Sequence, residues 1–257
     1  MDLQLTSRTA IVTGGTAGIG LAIVEALRAE GATVIVPGRS RAKLDEALPD
    51  DTGVRKIVAD VATAAGVETL LAAAPDADIL VNNLGIYEAT AFADISDADW
   101  LKLFEVNVMS GVRLSRHYFP RMLAKGWGRV IFVSSESGVM TPPEMIHYGV
   151  TKSSQLALSR GLAELTKGTA VTVNAVLPGP TRSEGIVDFL KGMATAGASA
   201  AEAEREFFEK HRGSSLLQRL IEAKEVASLV AYLASPLSAA TNGAALRVEG
   251  GLLRSIA

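Results

Sequence analysis

The sequence predicts an α/β fold built on a doubly wound parallel sheet of about seven strands. Short apolar runs rich in β-branched residues alternate with segments of helical spacing almost to the C-terminus. Most of these runs are continuously apolar, as strands buried on both faces of a parallel sheet should be. No linker rich in proline, glycine or serine divides the 257 residues, so we expect a single domain spanning 1–257.

The predicted elements follow one another along the whole chain. The candidate strands are residues 10–13, 33–37, 56–60, 79–83, 130–134, 171–177 and 245–248. The candidate helices are residues 19–29, 42–48, 64–74, 100–124, 153–166 and 225–234. In the helix at 100–124, five residues recur every three or four positions and predict one packed face. They are Leu101, Phe104, Val108, Val112 and Ser115.

Composition excludes several classes of protein. The 25 Lys and Arg against 28 Asp and Glu give a net charge of −3, and no basic patch for nucleic acid or an anionic membrane is visible. The absence of cysteine excludes disulfides, thiolate nucleophiles and cysteine-based metal sites. The N-terminus lacks a basic region followed by an apolar run, and no membrane-spanning apolar stretch appears, so we expect an unprocessed cytoplasmic protein.

The first candidate strand runs directly into a glycine-rich turn, residues 13–20 (TGGTAGIG), and a candidate helix follows at once. Without a Cβ, glycine lets the backbone approach a pyrophosphate, and a helix N-terminus offers unpaired N–H groups. Such turns also occur for structural reasons alone, but the position at the first strand-to-helix junction favours dinucleotide binding. The turn as a whole is therefore the predicted site of the pyrophosphate.

The turn after the second strand, residues 37–41 (PGRSR), bears on the choice of dinucleotide. A fold of this kind specific for NAD would place an acidic residue here to receive the ribose 2′-hydroxyl. The acid is missing, and the Arg39 guanidinium can pair with a 2′-phosphate instead. We therefore favour NADP(H) over NAD(H); the alternative is a solvated turn arginine. Asp60 comes one strand too late to replace the missing acid.

Tyr148 and Lys152 lie four residues apart, one helical turn along the same face. A tyrosine with its ordinary pKa of about 10 is a poor proton shuttle near neutrality unless a nearby cation favours the phenolate. Lys152 could supply that cation. Ser135 follows a predicted strand at the carboxyl edge of the sheet, where ligands bind in open α/β folds.

Taken together, these features resemble the short-chain dehydrogenase/reductase family over essentially the whole length of the chain. The matching motifs are the glycine turn, NNLG at 82–85, Asn107, Ser135, Tyr148, Lys152 and PGPT at 178–181. The resemblance implies a Rossmann-type fold. It also implies a homodimer or homotetramer formed through the helices at 100–124 and 153–166.

The resemblance further implies a role for each matching catalytic residue. Ser135 would position and polarise a substrate carbonyl, and Tyr148 would exchange a proton with its oxygen. Lys152 would hold the nicotinamide ribose and lower the pKa of the tyrosine. Asn107 would anchor a water that links this lysine to bulk solvent.

It also implies the cofactor contacts outside the glycine turn. Asp60 and Val61 match adenine contacts, while Asn83 and Gly85 match the wall beside the adenosine. Thr181 matches a contact of the nicotinamide carboxamide. The complete candidate set is Gly14, Thr16, Gly18, Ile19, Gly20, Arg39, Asp60, Val61, Asn83, Gly85, Tyr148, Lys152, Pro178 and Thr181.

Two departures from the family pattern concern the walls of the predicted site. Leu84 replaces the usual small residue of the Asn-Asn-Ala-Gly signature and is expected to crowd the cofactor wall without removing Asn83. The segment 181–215 exceeds an ordinary connection and is longer than in compact ketoacyl reductases, so it is either a helical excursion on the surface or a mobile lid. The resemblance favours a helical substrate lid, because that region covers the substrate in the family. Phe207 and Phe208 would either anchor a helix of that lid or line the substrate pocket.

Other polar residues receive structural interpretations. The three histidines, His117, His147 and His211, lack metal-ligand spacing and are expected to pack or to face solvent. Glu136 is expected at the surface, and the charged residues within 202–212 are expected to form a solvated helix face.

The leading hypothesis is an oxidoreductase that transfers a hydride between NADP(H) and a carbonyl or alcohol, either ketoacyl-reductase-like or another ketone or aldehyde reductase. The alternative is a dinucleotide-binding sensor or scaffold without turnover. Epimerisation or dehydration would need a tightly held NAD, which Arg39 argues against.

Overall fold

A sheet of seven parallel strands forms the centre of the protein, in a computed structural model that describes residues 2–50, 52–195 and 197–256. The strands are β1 (Thr9–Val12), β2 (Thr33–Gly38), β3 (Val54–Val58), β4 (Ile79–Asn82), β5 (Trp127–Val133), β6 (Ala170–Pro178) and β7 (Ala245–Val248). Their order across the sheet is β3-β2-β1-β4-β5-β6-β7, so the winding reverses between β1 and β4. The predicted doubly wound fold is confirmed, and the reversal marks where such sheets bind ligands.

Helices cover both faces of the sheet. They are α1 (Gly18–Ala29), α2 (Arg41–Ala47), α3 (Ala64–Ala73), α4 (Asp97–Phe104), α5 (Ser110–Lys125), α6 (Ile146–Glu164), α7 (Glu184–Met193), α8 (Ala200–His211) and α9 (Ala223–Ala234). A π-helical turn, Glu105–Met109, joins α4 to α5. Across the part of the chain that the structure describes, no helix is long and apolar enough to cross a membrane.

The core has two layers because neighbouring side chains of a strand point to opposite faces. Ala10 and Val12 of β1 pack on one side of the sheet in a cluster with residues of α1 and α9. Ile11 packs on the other side in a cluster with residues of α3 and α5. This arrangement explains the continuously apolar strands, and it fixes the carboxyl edge at which the polar residues gather.

The predicted helix at 100–124 is interrupted, and its predicted packed face is wrong in the first half. Leu101 is 70% exposed and Phe104 is 40% exposed, whereas Leu103 and Asn107 are buried. A π-helical turn holds more residues than an α-helical turn, so residues before it are rotated relative to those after it. A uniform period extended from α5 back into α4 therefore selects the wrong side of that helix.

Two other predicted elements have different boundaries in the structure. Strand β3 ends at Val58 rather than at position 60, so Asp60 lies in the following loop. Helix α6 begins at Ile146 rather than at position 153, and it therefore carries both Tyr148 and Lys152.

The α7–α8 segment (residues 181–215) contains two helices, which is compatible with both a helical excursion and a helical lid, so the lid stays a prediction. Together with Leu220 it forms a small apolar cluster, separate from the two clusters beside the sheet. The buried members of this cluster are Leu190, Ala203, Phe207, Phe208 and Leu220.

Candidate active site

A cavity of about 430 Å³ opens at the carboxyl edge of the sheet. The glycine turn and the loop after β4 form one end of it, and the turn after β5 and the start of α6 form the middle. The α7–α8 segment covers the far side, with Phe189, Phe207 and Arg212 among the lining residues. The predicted cofactor turn and two predicted catalytic residues, Ser135 and Tyr148, therefore border one space.

The glycine turn fits the pyrophosphate of a dinucleotide. Gly14 and Gly18 have positive φ angles of 64° and 50°, which favour glycine. A Cβ on Gly20 would lie 2.1 Å from the carbonyl oxygen of Gly14, so only glycine fits there. Ala17 at the N-cap of α1 has no side chain that can accept a hydrogen bond, which leaves the first N–H groups for an anion.

Asn83 ties this turn to the neighbouring strand. Its Nδ2 donates to the carbonyl oxygen of Thr13 at 2.9 Å, and the Thr13 hydroxyl accepts from the backbone N–H groups of Asn83 and Leu84. Leu84 lines the cavity and also packs on the apolar cluster below it. Asn83 thus keeps its cavity-lining position beside the larger residue.

The remaining predicted cofactor residues divide into two groups. Gly85 and Thr181 line the cavity, and Pro178 ends β6 just before the segment that carries Thr181. The cofactor contacts of all these residues stay predictions. Lys152 and Pro178 do not line the cavity themselves, and neither do four others. These are Thr16, Arg39, Asp60 and Val61. Arg39 is exposed directly after β2, and no ion pair is found for it within the described residues.

Five buried or half-buried polar residues, which we call the polar wall, come from three parts of the chain. They are Asn107, Ser135, Tyr148, Lys152 and Gln155. Ser135 follows β5, Asn107 lies in the π-helical turn, and the other three belong to α6. The Nζ atom of Lys152 lies 5.6 Å from the ring centre of Tyr148. The four predicted members, Asn107, Ser135, Tyr148 and Lys152, therefore lie together at the sheet edge, and their catalytic roles stay predictions.

Burial dominates the protonation of the two residues on α6. It raises the pKa of Tyr148 well above its ordinary range; ionised Glu136 nearby adds to this shift, and a hydrogen bond with Ser135 opposes it. Burial also lowers the pKa of Lys152 to about 8, against the attraction of Glu136. The lowered tyrosine pKa that the resemblance implied is not found in the protein alone.

Gln155 is a member of the wall that the sequence reasoning missed. Its Nε2 donates to the main-chain carbonyl of Asn107 at 2.6 Å, and its Oε1 accepts from Lys152 Nζ at 3.1 Å. Lys152 also donates to the carbonyl oxygen of Val133 at 2.9 Å. A direct amide link therefore joins the asparagine and the lysine, where the resemblance implied a water. The available signal was its position three residues after Lys152, on the same helical face.

The side chain of Asn107 holds the loop after β4. Its Oδ1 accepts from Ile86 N at 2.8 Å, and its Nδ2 donates to Ile86 O at 2.9 Å. The same Nδ2 also donates to the hydroxyl of Thr151 at 3.0 Å. Asn107 thus fixes that loop to α6 as well as supporting Lys152 through Gln155.

Two charged residues expected at the surface are buried. Glu136 is 3% exposed, and its Oε2 accepts from the Ser135 hydroxyl at 2.5 Å. Arg212 is 7% exposed; its Nη1 lies 3.1 Å from Glu144 Oε1, and its Nε lies 3.9 Å from Glu136 Oε1. The end of α8 folds back over the sheet edge and removes both groups from water, which the sequence pattern did not show.

Aromatic rings form the less polar side of the cavity. The ring centres of Tyr87 and Tyr148 lie 6.2 Å apart, and those of Tyr87 and Phe189 lie 5.9 Å apart. Phe207 both lines the cavity and packs in the α7–α8 cluster, whereas Phe208 packs in the cluster alone. Phe207 therefore fits both alternatives left open for these phenylalanines, whereas Phe208 fits only the anchoring one.

No metal-binding cluster of acidic residues and histidines occurs within residues 2–50, 52–195 and 197–256. His147 is fully buried, with its ring centre 5.9 Å from that of Trp100, and is a packing residue.

Comparison with known proteins gives consistent results across the chain. A family model described as "Enoyl-(Acyl carrier protein) reductase" matches residues 14–253. The chain is 46% identical to the uncharacterized oxidoreductase YvaG of Bacillus subtilis, with 100% of each chain covered. It is 30% identical to the 3-oxoacyl-[acyl-carrier-protein] reductase FabG of Aquifex aeolicus, over 98% of this chain and 100% of the other.

Among solved structures, L-sorbose reductase from Gluconobacter frateurii, crystallised with NADPH and L-sorbose, superimposes with a TM-score of 0.91. It is 29% identical, and the alignment covers 100% of both chains.

Proposed function

Since the chain belongs to the short-chain dehydrogenase/reductase family, we propose that this oxidoreductase interconverts a carbonyl compound and an alcohol with NADP(H). The observation that carries the proposal is the convergence of Ser135, Tyr148 and Lys152 beside the glycine turn. One cavity thus offers a place for a dinucleotide, a proton donor and a second hydrogen-bond donor.

The residues present would hold the cofactor along the cavity. The glycine turn would receive the pyrophosphate, Lys152 the nicotinamide ribose and Thr181 the carboxamide. When bound, the nicotinamide supplies the hydride donor or acceptor for the reaction.

The protein's own groups would manage the substrate oxygen. In the reduction direction Tyr148 gives its phenolic proton to the carbonyl oxygen, and Ser135 donates a hydrogen bond to the charge that develops there. The raised pKa of Tyr148 keeps the phenol protonated near neutrality, as a proton donor requires. Burial of both groups excludes water and strengthens these hydrogen bonds.

For the substrate we propose a ketone, aldehyde or oxoacyl compound that fits between the polar wall and the aromatic side of the cavity. The names of two relatives, an oxoacyl reductase and a sorbose reductase, are compatible with this range. We further propose that the α7–α8 segment acts as the substrate lid, since it contributes Phe189, Phe207 and Arg212 to the cavity. A homo-oligomer in the cytoplasm stays a prediction.

The direct test is NADPH oxidation with a panel of ketones, aldehydes and acyl thioesters. Tyr148→Phe should lower kcat by about 10²–10⁴-fold because the proton donor is removed. Tyr232→Phe, a change on the exposed face of α9, is the matched control and should leave the rate unchanged. Equal rates for Tyr148→Phe and the parent would exclude the proton route. NADPH binding without turnover on the whole panel would favour the non-catalytic alternative.

Cofactor choice has a separate test. We propose that Arg39 pairs with the 2′-phosphate of NADPH, so Arg39→Ala should reduce the preference for NADPH over NADH by about tenfold. Arg41→Ala is a suitable control and should leave the preference unchanged, because the Arg41 side chain already pairs with Asp45 at 3.2 Å. The ratio of the two binding constants, measured by calorimetry in each variant, decides the assignment. An unchanged ratio in Arg39→Ala would show that another group selects the cofactor.

A further inference from the structure

Glu136 is a buried carboxyl in direct contact with the residue proposed to polarise the substrate. Its Oε2 lies 2.5 Å from Ser135 Oγ, and its Oε1 accepts from the Ser137 hydroxyl at 3.1 Å. A side chain that is 3% exposed has almost no water to stabilise a negative charge. The protonation of this carboxyl therefore depends on its immediate neighbours.

Those neighbours leave a negative charge on Glu136 poorly compensated. The nearest cation, Arg212, lies 3.9 Å away and makes its short contact, 3.1 Å, with Glu144 instead. Lys152 of α6 directs its Nζ to Val133 and Gln155, and Tyr148 of the same helix adds no charge while protonated. Burial accordingly raises the pKa of Glu136, although Arg212 and the two serine hydroxyls oppose the shift.

The proton on this carboxyl decides where the Ser135 hydroxyl can point. A serine hydroxyl has one proton and two acceptor positions. The backbone N–H of Ser137 occupies one acceptor position, at 3.1 Å. If Glu136 is ionised, it takes the serine proton, and Ser135 cannot donate to a substrate. If Glu136 is protonated, it fills the second acceptor position, and the serine proton is free.

We propose that Glu136 is a positioning residue that works in its protonated form, donating to Ser135 Oγ and so turning the Ser135 hydroxyl toward the substrate oxygen. This inference rests on the proposed carbonyl chemistry. Glu136 exchanges no proton with the substrate in this role. Its ionisation would both withdraw the serine donor and place a negative charge beside an oxygen that is gaining one, which lowers the rate.

The first test measures protonation without turnover. Infrared spectra of the substrate-free protein, parent minus Glu136→Gln, should show the carbonyl stretch of a protonated carboxyl near neutral pH, and this band should vanish as pH rises. Absence of the band at neutral pH would overturn the inference. Because no substrate is present, this result is independent of whether the proposed reaction occurs.

The second test is the pH dependence of kcat for carbonyl reduction. In the parent, kcat should fall as Glu136 ionises. In Glu136→Gln, whose amide N–H can donate to Ser135 but cannot ionise, that fall should disappear. In that variant kcat should decrease only where Lys152 loses its proton, because burial lowers the pKa of Lys152 to about 8. Glu136→Leu, which cannot donate, should have a kcat about tenfold below that of Glu136→Gln, the value of one hydrogen bond.

Glu144→Gln is the matched control, since Glu144 contacts the same arginine but makes no hydrogen bond to Ser135 among the described residues. Removing its charge frees Arg212 to attract ionised Glu136, so the fall in kcat should persist and move to lower pH. Three results would each refute the role of Glu136. The fall of kcat with pH could disappear in Glu144→Gln, it could persist in Glu136→Gln, or kcat could be equal in Glu136→Gln and Glu136→Leu. Absence of turnover in the parent would instead refute the proposed function.

Discussion

The polar wall, through Ser135 and Tyr148, and the α7–α8 segment border the same cavity but are held in place by different forces. In the wall, buried polar atoms of the π-helical turn and α6 saturate one another, as in the chain from Lys152 through Gln155 to Asn107. The α7–α8 segment depends on a small apolar cluster and on ion pairs at its surface, such as that of exposed Arg182 with half-buried Glu204. A buried polar network fixes positions for proton transfer, whereas a small separate cluster permits local opening.

The largest expected effect lies in the wall. Asn107→Leu leaves the N–H and C=O of Ile86 and the hydroxyl of Thr151 without their side-chain partner, and it should lower the free energy of unfolding by about 2–4 kcal/mol. Lys102→Ala, at an exposed position on α4, should change it by less than about 0.5 kcal/mol. Denaturant unfolding measures both values. A loss below about 1 kcal/mol in Asn107→Leu would show that the wall tolerates unpaired groups.

An intermediate effect is expected in the α7–α8 segment, and it should appear in binding. Phe207→Ala removes a cavity-lining ring and should raise KM by about tenfold, while kcat changes by a smaller factor. The free energy of global unfolding should change less than in Asn107→Leu, because the α7–α8 cluster is separate from the clusters beside the sheet. Phe208→Ala is the matched control, because that ring packs in the same cluster without lining the cavity. Steady-state kinetics should give a smaller rise in KM for the control. Equal rises would assign the effect to packing of α8 rather than to contact with substrate.

The smallest effect is expected for the ion pairs of Arg182. Its guanidinium lies 3.1 Å from Glu204 and 3.0 Å from Glu222, and both Arg182 and Glu222 are exposed. Arg182→Ala should cost less than about 1 kcal/mol, because solvent and salt screen exposed pairs. The difference in Tm between parent and variant should shrink as salt is added. A large difference that persists at high salt would mean that these pairs hold the segment after all.

Much of the frame of the site could be predicted from local sequence. Parallel strands place their carboxyl ends at one edge, so Ser135, which follows a strand, was expected there. Thr181 was assigned to the site by the family resemblance. Tyr148 and Lys152 needed only the periodicity of one helix. The face of α4 could not be predicted in this way, because the π-helical turn changes the phase of the helix in a way that a regular pattern does not reveal.

Burial of charge was also beyond the sequence pattern. Glu136 and Arg212 are far apart in the chain, and each has the local sequence of a surface residue. The return of α8 to the sheet edge brings them together and excludes water from both. The pKa of Glu136 follows from that exclusion and from the competing contact with Glu144, so no local motif could have indicated it.

The sequence by itself determined the doubly wound sheet, the glycine turn and the identity of the groups at its edge, because strand and helix periodicity and glycine geometry are local properties. Only the tertiary structure decided which polar groups lost their water, that Gln155 joins Asn107 to Lys152, and that a carboxyl lies against Ser135. Desolvation depends on everything packed around an atom, and residues distant in the chain supply most of that packing.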